Sequence, residues 1–356
     1  MLLNRPAVMT IARLFPLPLL YYLEILNHYT MFHEILFFCL GLVLVMGGAN
    51  YLTDGASAIA RRFKVSDLVI GLTIVAFGSS TPDLVISLTS TIQDKAQIAV
   101  GDILGANIFD ILLVIGICAM VRPILVSGQT LHKEFPMVIL SSAVLFILGC
   151  DTLVDNARVD IMNRSDGLVL ICFLIIYGYV TYMIARMQDT PPTAGNSPVP
   201  QKPIRIWLCC IMIAGGLAAL VVGGNWIVSG ASGIARKCGM SEAMVGLTVV
   251  AIGSSIPDLF TSLVAALKGH SGIAVGNVVG SCVLNVFMII GICATVKPLD
   301  LGTINAIDFG VLLAGSILLW IFGWVWGKRT INRREGAILA AGYAAYIAYL
   351  IIKAIR

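Results

Sequence analysis

Apolar runs of about 18 to 25 residues, the length at which an α-helix crosses a bilayer, recur along this chain and leave it few architectures. In lipid every backbone N–H and C=O must be satisfied internally, which only helices and closed barrels achieve. Barrel strands alternate apolar and polar residues, whereas these runs are continuous, so the chain reads as all-α. Of its 356 residues, 58% are hydrophobic and only 12% charged, about half the charge of an ordinary soluble domain. Most of its surface must therefore be solvated by lipid.

From Met31 onward the runs fall near 33–60, 66–92, 97–121, 134–154, 167–186, 204–235, 242–267, 272–296, 305–327 and 336–354, which predicts ten transmembrane helices. Residues 1–30 form an N-terminal extension in which Arg5, Arg13, Pro16, Pro18 and Glu24 interrupt the apolar stretch. An interfacial segment is expected there rather than a span. Residues 188–203 are rich in proline and polar residues and read as a linker. They separate two five-helix halves, 31–187 and 204–356.

The halves repeat each other. GLTIVAFGSSTPD (71–83) matches GLTVVAIGSSIPD (246–258) at ten of thirteen positions with a constant offset of 175, and the register holds from Gly55/Gly230 to Gly116/Gly291. Because each half has an odd number of spans, the second copy enters the membrane from the opposite side. Two inverted five-helix repeats are therefore expected, an arrangement that secondary transporters use for alternating access. Loops after the odd-numbered spans hold thirteen Lys and Arg, those after the even-numbered spans six. The positive-inside rule then places the 188–203 linker in the cytoplasm and Met31 outside, in a plasma (inner) membrane.

In each half an apolar helix runs into Gly-Ser-Ser-x-Pro-Asp: Gly78, Ser79, Ser80, Pro82 and Asp83, then Gly253, Ser254, Ser255, Pro257 and Asp258. Proline lacks an N–H and clashes with the carbonyl four residues back, and glycine removes side-chain restraint. The helix is expected to break or kink, freeing carbonyls such as those of Ala76 and Ala251. Carbonyls, paired hydroxyls and a carboxylate are hard oxygen ligands suited to Na+ and Ca2+. A lone carboxylate at mid-membrane costs at least about 2.5 kcal/mol, so two at matched positions imply a shared cation.

A second element follows each motif, GDILGANIFDILLVIGI (101–117) and GNVVGSCVLNVFMIIGI (276–292). Helical spacing puts Asn107 one turn from Asp110 and Ser281 one turn from Asn285. Gly101, Gly105, Gly276 and Gly280 read as small-residue ridges for close helix packing. Asp54, Asp67, Glu242 and Glu335 read as interfacial charges, and Asp102 is left unassigned because its counterpart is Asn277.

Nothing else in the sequence competes. The nine cysteines lie mostly in apolar runs without a Cys-x-x-Cys pair, the four histidines form no ligand cluster, and a net charge of +4 follows from basic loops rather than from a nucleic-acid partner. An intramembrane hydrolase using Ser79 or Ser80 would need a base, and no His or Lys falls within a central span. No enzymatic activity, cofactor or obligatory protein partner is expected.

These motifs resemble the calcium/cation antiporter superfamily, the sodium/calcium exchangers and their bacterial relatives, over 55–117 and 230–292. The resemblance implies a Ca2+ site among Ser79, Asp83, Ser254 and Asp258, and Na+ sites using Ser80, Ser255, Ala76, Ala251, Ser281, Asp110 and Asn285. It also implies alternating access by sliding of spans 1 and 6 past the remaining helices. Both motif acids are Asp where most relatives have Glu, a feature shared with the mitochondrial and plant cation/calcium exchanger branch. Ala106 stands where relatives carry serine, so one Na+ site should lose an oxygen, and Asp110 faces Asn285 where some relatives have the two exchanged. The expected activity is Ca2+/Na+ antiport, with an H+-coupled divalent-cation exchanger as the alternative; Ca2+, Na+ and the lipid bilayer are the expected partners.

Overall fold

The computed structural model describes residues 32–48, 50–51, 54–55, 58, 80–126, 128, 130–154, 156–187, 206–267, 271–324 and 329–355. The long helices are α1 (Phe32–Gly48), α2 (Thr81–Ile92), α3 (Ala96–Val121), α4 (Thr130–Gly149), α5 (Arg164–Met187), α6 (Ile206–Cys238), α7 (242–267), α8 (271–296), α9 (Ala306–Trp324) and α10 (Arg333–Ile355). Among the described residues α3, α4, α5, α6, α8, α9 and α10 are long and apolar enough to cross a membrane, while α1 and the start of α7 are shorter apolar helices. The 1–30 extension and the 188–203 linker lie outside the described residues, as does most of the stretch joining α1 to α2.

Burial sorts these helices into layers. The apolar windows of α3 and α8 are 83% and 78% buried, against 11% for α5 and 22% for α6. The two helices that follow the duplicated motifs therefore form the centre, and α5 and α6 turn side chains such as Ile175, Tyr179, Trp207 and Val221 outward. An exposed apolar face on this scale belongs in lipid.

Local sequence explains where several helices begin. At α5, α9 and α10 an Asn is followed three residues later by an acid whose carboxylate accepts the Asn backbone N–H: Asp166 to Asn163 at 2.7 Å, Asp308 to Asn305 at 3.0 Å and Glu335 to Asn332 at 2.6 Å. This is the reciprocal half of a capping box. Glu335, expected as a solvated or paired interfacial charge, is buried and makes this bond. Asp308 is fully buried and also meets the Tyr346 hydroxyl at 3.1 Å and Lys353 at 3.5 Å. The fourth helix starts at Thr130, ahead of the expected 134, and ends at Gly149; Asp151–Val154 is a separate short turn of helix.

Two small antiparallel ribbons tie the halves together. After α3, β1 (Ile124–Leu125) pairs with β4 (Thr330–Ile331) ahead of α10; ahead of α5, β2 (Ile161–Met162) pairs with β3 (Leu299–Asp300) after α8. Each ribbon takes one strand from each half.

Contacts between equivalent residues reveal the relation between the halves. Gly41 and Gly48 of α1 have counterparts Gly216 and Gly223 in α6, at the same offset of 175. A Cβ on Gly41 would lie 2.8 Å from the Gly223 carbonyl oxygen, and one on Gly48 would lie 2.8 Å from that of Gly216. As α1 advances its partner recedes along α6, so the helices pack antiparallel, backbone to backbone. At the centre the Asn107 amide donates to the carbonyl of Cys282, its own counterpart, at 3.2 Å. A residue that touches its own equivalent sits on a pseudo-twofold axis, which therefore passes between α3 and α8.

Of the predicted small-residue ridges, the one on α3 is explained. A Cβ on Gly101 would lie 2.8 Å from the Ala243 carbonyl oxygen, and one on Gly105 would lie 2.5 Å from that of Leu247, so α3 lies directly on the backbone of α7. The mirrored partners of Gly276 and Gly280, residues 68–76, lie outside the described residues. The eight described cysteines are free thiols, and five of them are buried.

Candidate cation site

The site forms where α2 and α7, which carry the motif acids, meet the central pair α3 and α8. In α2, Ser80 occupies the N-cap position and Pro82 the first turn, where its missing N–H breaks no bond. Asp83 follows in that turn, 5% exposed, near the positive end of the helix dipole. Ser79 and Ala76 lie outside the described residues.

The second motif differs from expectation. Residues 242–267 stay helical through Gly253 and Pro257, and the irregularity lies upstream as a π turn over Gly246–Val250. Such a turn shifts the hydrogen-bond register by one residue, a feature frequent at functional sites. The Ala251 carbonyl consequently does not stand bare, because the Ser254 hydroxyl donates to it at 3.3 Å. Ser254 and Ser255 are both buried, and Asp258 is half-buried with Asn277 donating to its Oδ1 at 3.0 Å.

On the central helices, π turns also occur at Phe109–Val114 and Asn285–Ile290, beginning at or next to the predicted ligands Asp110 and Asn285. Asp110 is fully buried and accepts the Ser281 hydroxyl at 3.3 Å, across the interface between halves. The Asn285 amide donates to Asn107 Oδ1 at 3.0 Å. Asn107 thus bonds α8 through both its amide and its oxygen, fixing α3 against α8. Ser254 and Asn285 also neighbour the Asp83 carboxylate. The structure therefore gathers Asp83, Ser254, Asp110, Ser281 and Asn285 into one polar centre drawn from both halves.

Within this apolar interior several side-chain oxygens have no hydrogen-bond partner. One is Ser232 Oγ in α6; the other five, Ser80 Oγ, Asp83 Oδ1, Asp110 Oδ1, Ser255 Oγ and Asn285 Oδ1, are all on residues predicted as ligands. A buried acceptor without a partner costs about 1–3 kcal/mol, and more when charged, so a set of such atoms on named ligand positions fits cation binding. Among the described residues no group of three or more His, Cys, Asp or Glu side chains could hold one metal ion. The carboxylates are spread among hydroxyl and amide oxygens rather than bunched.

Sequence reasoning left Asp102 unassigned. Its carboxylate is fully buried and accepts hydrogen bonds from Ser254 at 3.1 Å and Ser87 at 3.5 Å. Its place two turns before Asp110 on the same stripe of α3 was the available signal. Its counterpart Asn277 likewise pairs with Asp258, and with Ser262 at 3.3 Å.

Comparison with known proteins agrees with this geometry. The family model described as sodium/calcium exchanger protein matches residues 33–184 and 208–352. A putative antiporter, CaxA, from Alkalimonas amylolytica is 36% identical over 324 residues, 87% of this chain and 96% of its own length. The sodium/calcium exchanger MaX1 of Methanosarcina acetivorans is 28% identical over 342 residues, 87% of this chain and 96% of that protein. Among solved structures, the sodium-calcium exchanger NCX_Mj superposes with a TM-score of 0.58 at 28% identity, covering 89% of this chain and 99% of that one.

Proposed function

The chain belongs to the sodium/calcium exchanger protein family, and from that premise we propose that it is a secondary active antiporter exchanging Ca2+ for Na+ at one site shared by its two halves. The observation that carries this reading is the set of buried, unpartnered oxygens on Ser80, Asp83, Asp110, Ser255 and Asn285. Carboxylate, hydroxyl and amide oxygens of this kind suit Na+ and Ca2+.

In this reading the membrane is crossed ten times, by two inverted five-helix repeats. The antiparallel packing of α1 on α6 through equivalent glycines supports inversion. So do the ribbons: α3 ends beside the start of α10, and α8 ends beside the start of α5. With α4 and α9 each crossing once, those two junctions fall on opposite faces. The 188–203 linker is then cytoplasmic, as the distribution of basic residues requires.

Ca2+ is held between Asp83 and Asp258, one acid from each half, with Ser79 and Ser254 completing the first ring. Na+ is held by overlapping oxygens of Ser80, Ser255, Ala76, Ala251, Ser281, Asp110 and Asn285. Because the ligand sets share atoms, the two ions compete, and competition for one alternately exposed site is what makes exchange obligatory. Asn107 keeps α3 and α8 locked at the axis while the flanking helices move. Solved forms of NCX_Mj soaked with Na+, with Ca2+ and with Sr2+ belong to a relative that handles these ions.

The test is uptake of radiolabelled Ca2+ into proteoliposomes under imposed Na+, K+ and H+ gradients in turn. An outward Na+ gradient should drive uptake on its own. Uptake driven by a pH gradient and indifferent to Na+ would replace this reading with H+-coupled exchange, and absence of Ca2+ flux under every gradient would refute both.

A further inference from the structure

Position 102 is where the pseudo-symmetry of the site fails electrostatically. In the second half Asn277 donates its amide to Asp258 Oδ1 at 3.0 Å and to Ser262 at 3.3 Å. In the first half the same place holds a carboxylate, which has no donor to give. Asp83 therefore receives no amide from that position, and although Ser254 and Asn285 neighbour its carboxylate, its Oδ1 is buried without a partner. Asp102 itself is fully buried and is met by hydroxyls alone, those of Ser254 and Ser87. Hydroxyl dipoles solvate a buried charge but do not neutralise it, and buried charges are ordinarily paired or bound to a metal ion. The Asp83 and Asp102 carboxylates also repel one another, and Ser254 neighbours both.

One cation placed between these groups answers both deficits. It supplies Asp83 Oδ1 with the positive partner that the amide provides in the other half, and it balances the one formal charge by which Asp102 exceeds Asn277. The available oxygens are too few for the six to eight that Ca2+ takes, and the surplus is a single charge. We propose that Asp102, Asp83 Oδ1 and Ser254 Oγ hold a monovalent cation on the first-half side of the site, alongside bound Ca2+, at a position with no counterpart in the second half. The inference rests on reading the centre as a cation-exchange site and adds to it a fourth carboxylate.

The experiment measures bound ions on purified full-length protein saturated with radiolabelled Ca2+, using radiolabelled Na+ and, separately, Rb+ as a K+ tracer. Wild type should retain about one monovalent ion per chain that survives Ca2+ saturation. Asp102→Asn should lose that ion while still binding Ca2+, and Asp102→Glu, which keeps the charge, should keep it. Asp102→Asn/Asn277→Asp should recover it at the mirrored position. No monovalent ion on Ca2+-saturated wild type, or an equal count in Asp102→Asn, overturns the proposal. The wild-type count decides the matter even where a variant does not fold. Should wild type bind no Ca2+, the functional reading fails separately, and the one-ion difference between wild type and Asp102→Asn in Ca2+-free buffer still decides this inference.

Discussion

Replacing Gly105 by alanine adds a single methyl group at the point where α3 lies on α7. That methyl would stand 2.5 Å from the Leu247 carbonyl oxygen and 2.7 Å from Ala251 Cβ. Ordinary contact begins at 3.4 Å, so the shortfall is about 0.9 Å and about 0.7 Å at the two atoms. Neither obstacle can rotate away, because one is backbone and the other a Cβ. The helices must separate, and overpacking of this kind costs about 1–3 kcal/mol. The displacement falls on the segment that carries Ser254, whose hydroxyl reaches Asp102 across this same interface at 3.1 Å. Binding constellations tolerate misplacement of only about 0.5 Å, so a loss of Ca2+ affinity of about tenfold, or 1.4 kcal/mol, is expected. The assay pairs thermal unfolding of the detergent-solubilised protein with Ca2+ titration. Gly178→Ala serves as the control, since a methyl there meets nothing within 4 Å and should be neutral or slightly stabilising through helix propensity. Gly105→Ala with wild-type melting and affinity would refute the claim that close α3–α7 approach sets the site.

Three other outcomes are expected. Asp83→Asn and Asp258→Asn should each abolish Ca2+ flux in proteoliposomes that contain folded protein; normal flux in either removes the acid pair from the mechanism. Ala106→Ser adds one hydroxyl at a fully buried position one turn from both Asp102 and Asp110 and should raise apparent Na+ affinity about fivefold, the equivalent of one net polar contact of about 1 kcal/mol; an unchanged Na+ dependence of Ca2+ flux contradicts the assignment of a missing oxygen there. Glu335→Ala removes the carboxylate that caps α10 at Asn332 and should cost about 1 kcal/mol of stability, read as a lower unfolding midpoint with Ca2+ affinity retained.

The duplicated motif and the polar positions on α3 and α8 were legible because chemistry fixed them. An acid after Ser-Ser-x-Pro in an apolar helix has few structural excuses, and its recurrence at an offset of 175 removes those. Three features were not legible. The π turns at Gly246–Val250, Phe109–Val114 and Asn285–Ile290 were not, because no local residue pattern announces one extra residue in a helical turn. The helix also persists through Gly253 and Pro257, where the residue types alone predict a break. Asp102 was missed because a carboxylate near the start of an apolar run looks interfacial, and only the tertiary contact with Ser254 places it inside.

If the repeats are inverted, as proposed, a difference between the halves takes on a further meaning. If two halves were identical, the outward-facing and inward-facing forms would be related by the twofold axis and would bind ions equally well on both sides. Any preference of one access state for one ion must then come from positions where the halves diverge. On the face that α3 and α8 turn to the site, every fourth residue reads Asp102, Ala106 and Asp110 in one half and Asn277, Ser281 and Asn285 in the other. All three pairs differ, while the motif sequences that flank them agree at ten of thirteen positions. Charge is concentrated on α3, and neutral hydroxyl and amide oxygens on α8. Cations are held more strongly at the first than at the second, so the two ends of the site differ in affinity even though the repeat pairs them position by position. On the proposed exchange reading, the asymmetry of ion affinity between the faces lies in this stripe of three residue pairs rather than in the duplicated motif, and exchanging the stripes between α3 and α8 should exchange the Ca2+ affinities of the two membrane faces while the ion gradients still set the direction of net transport.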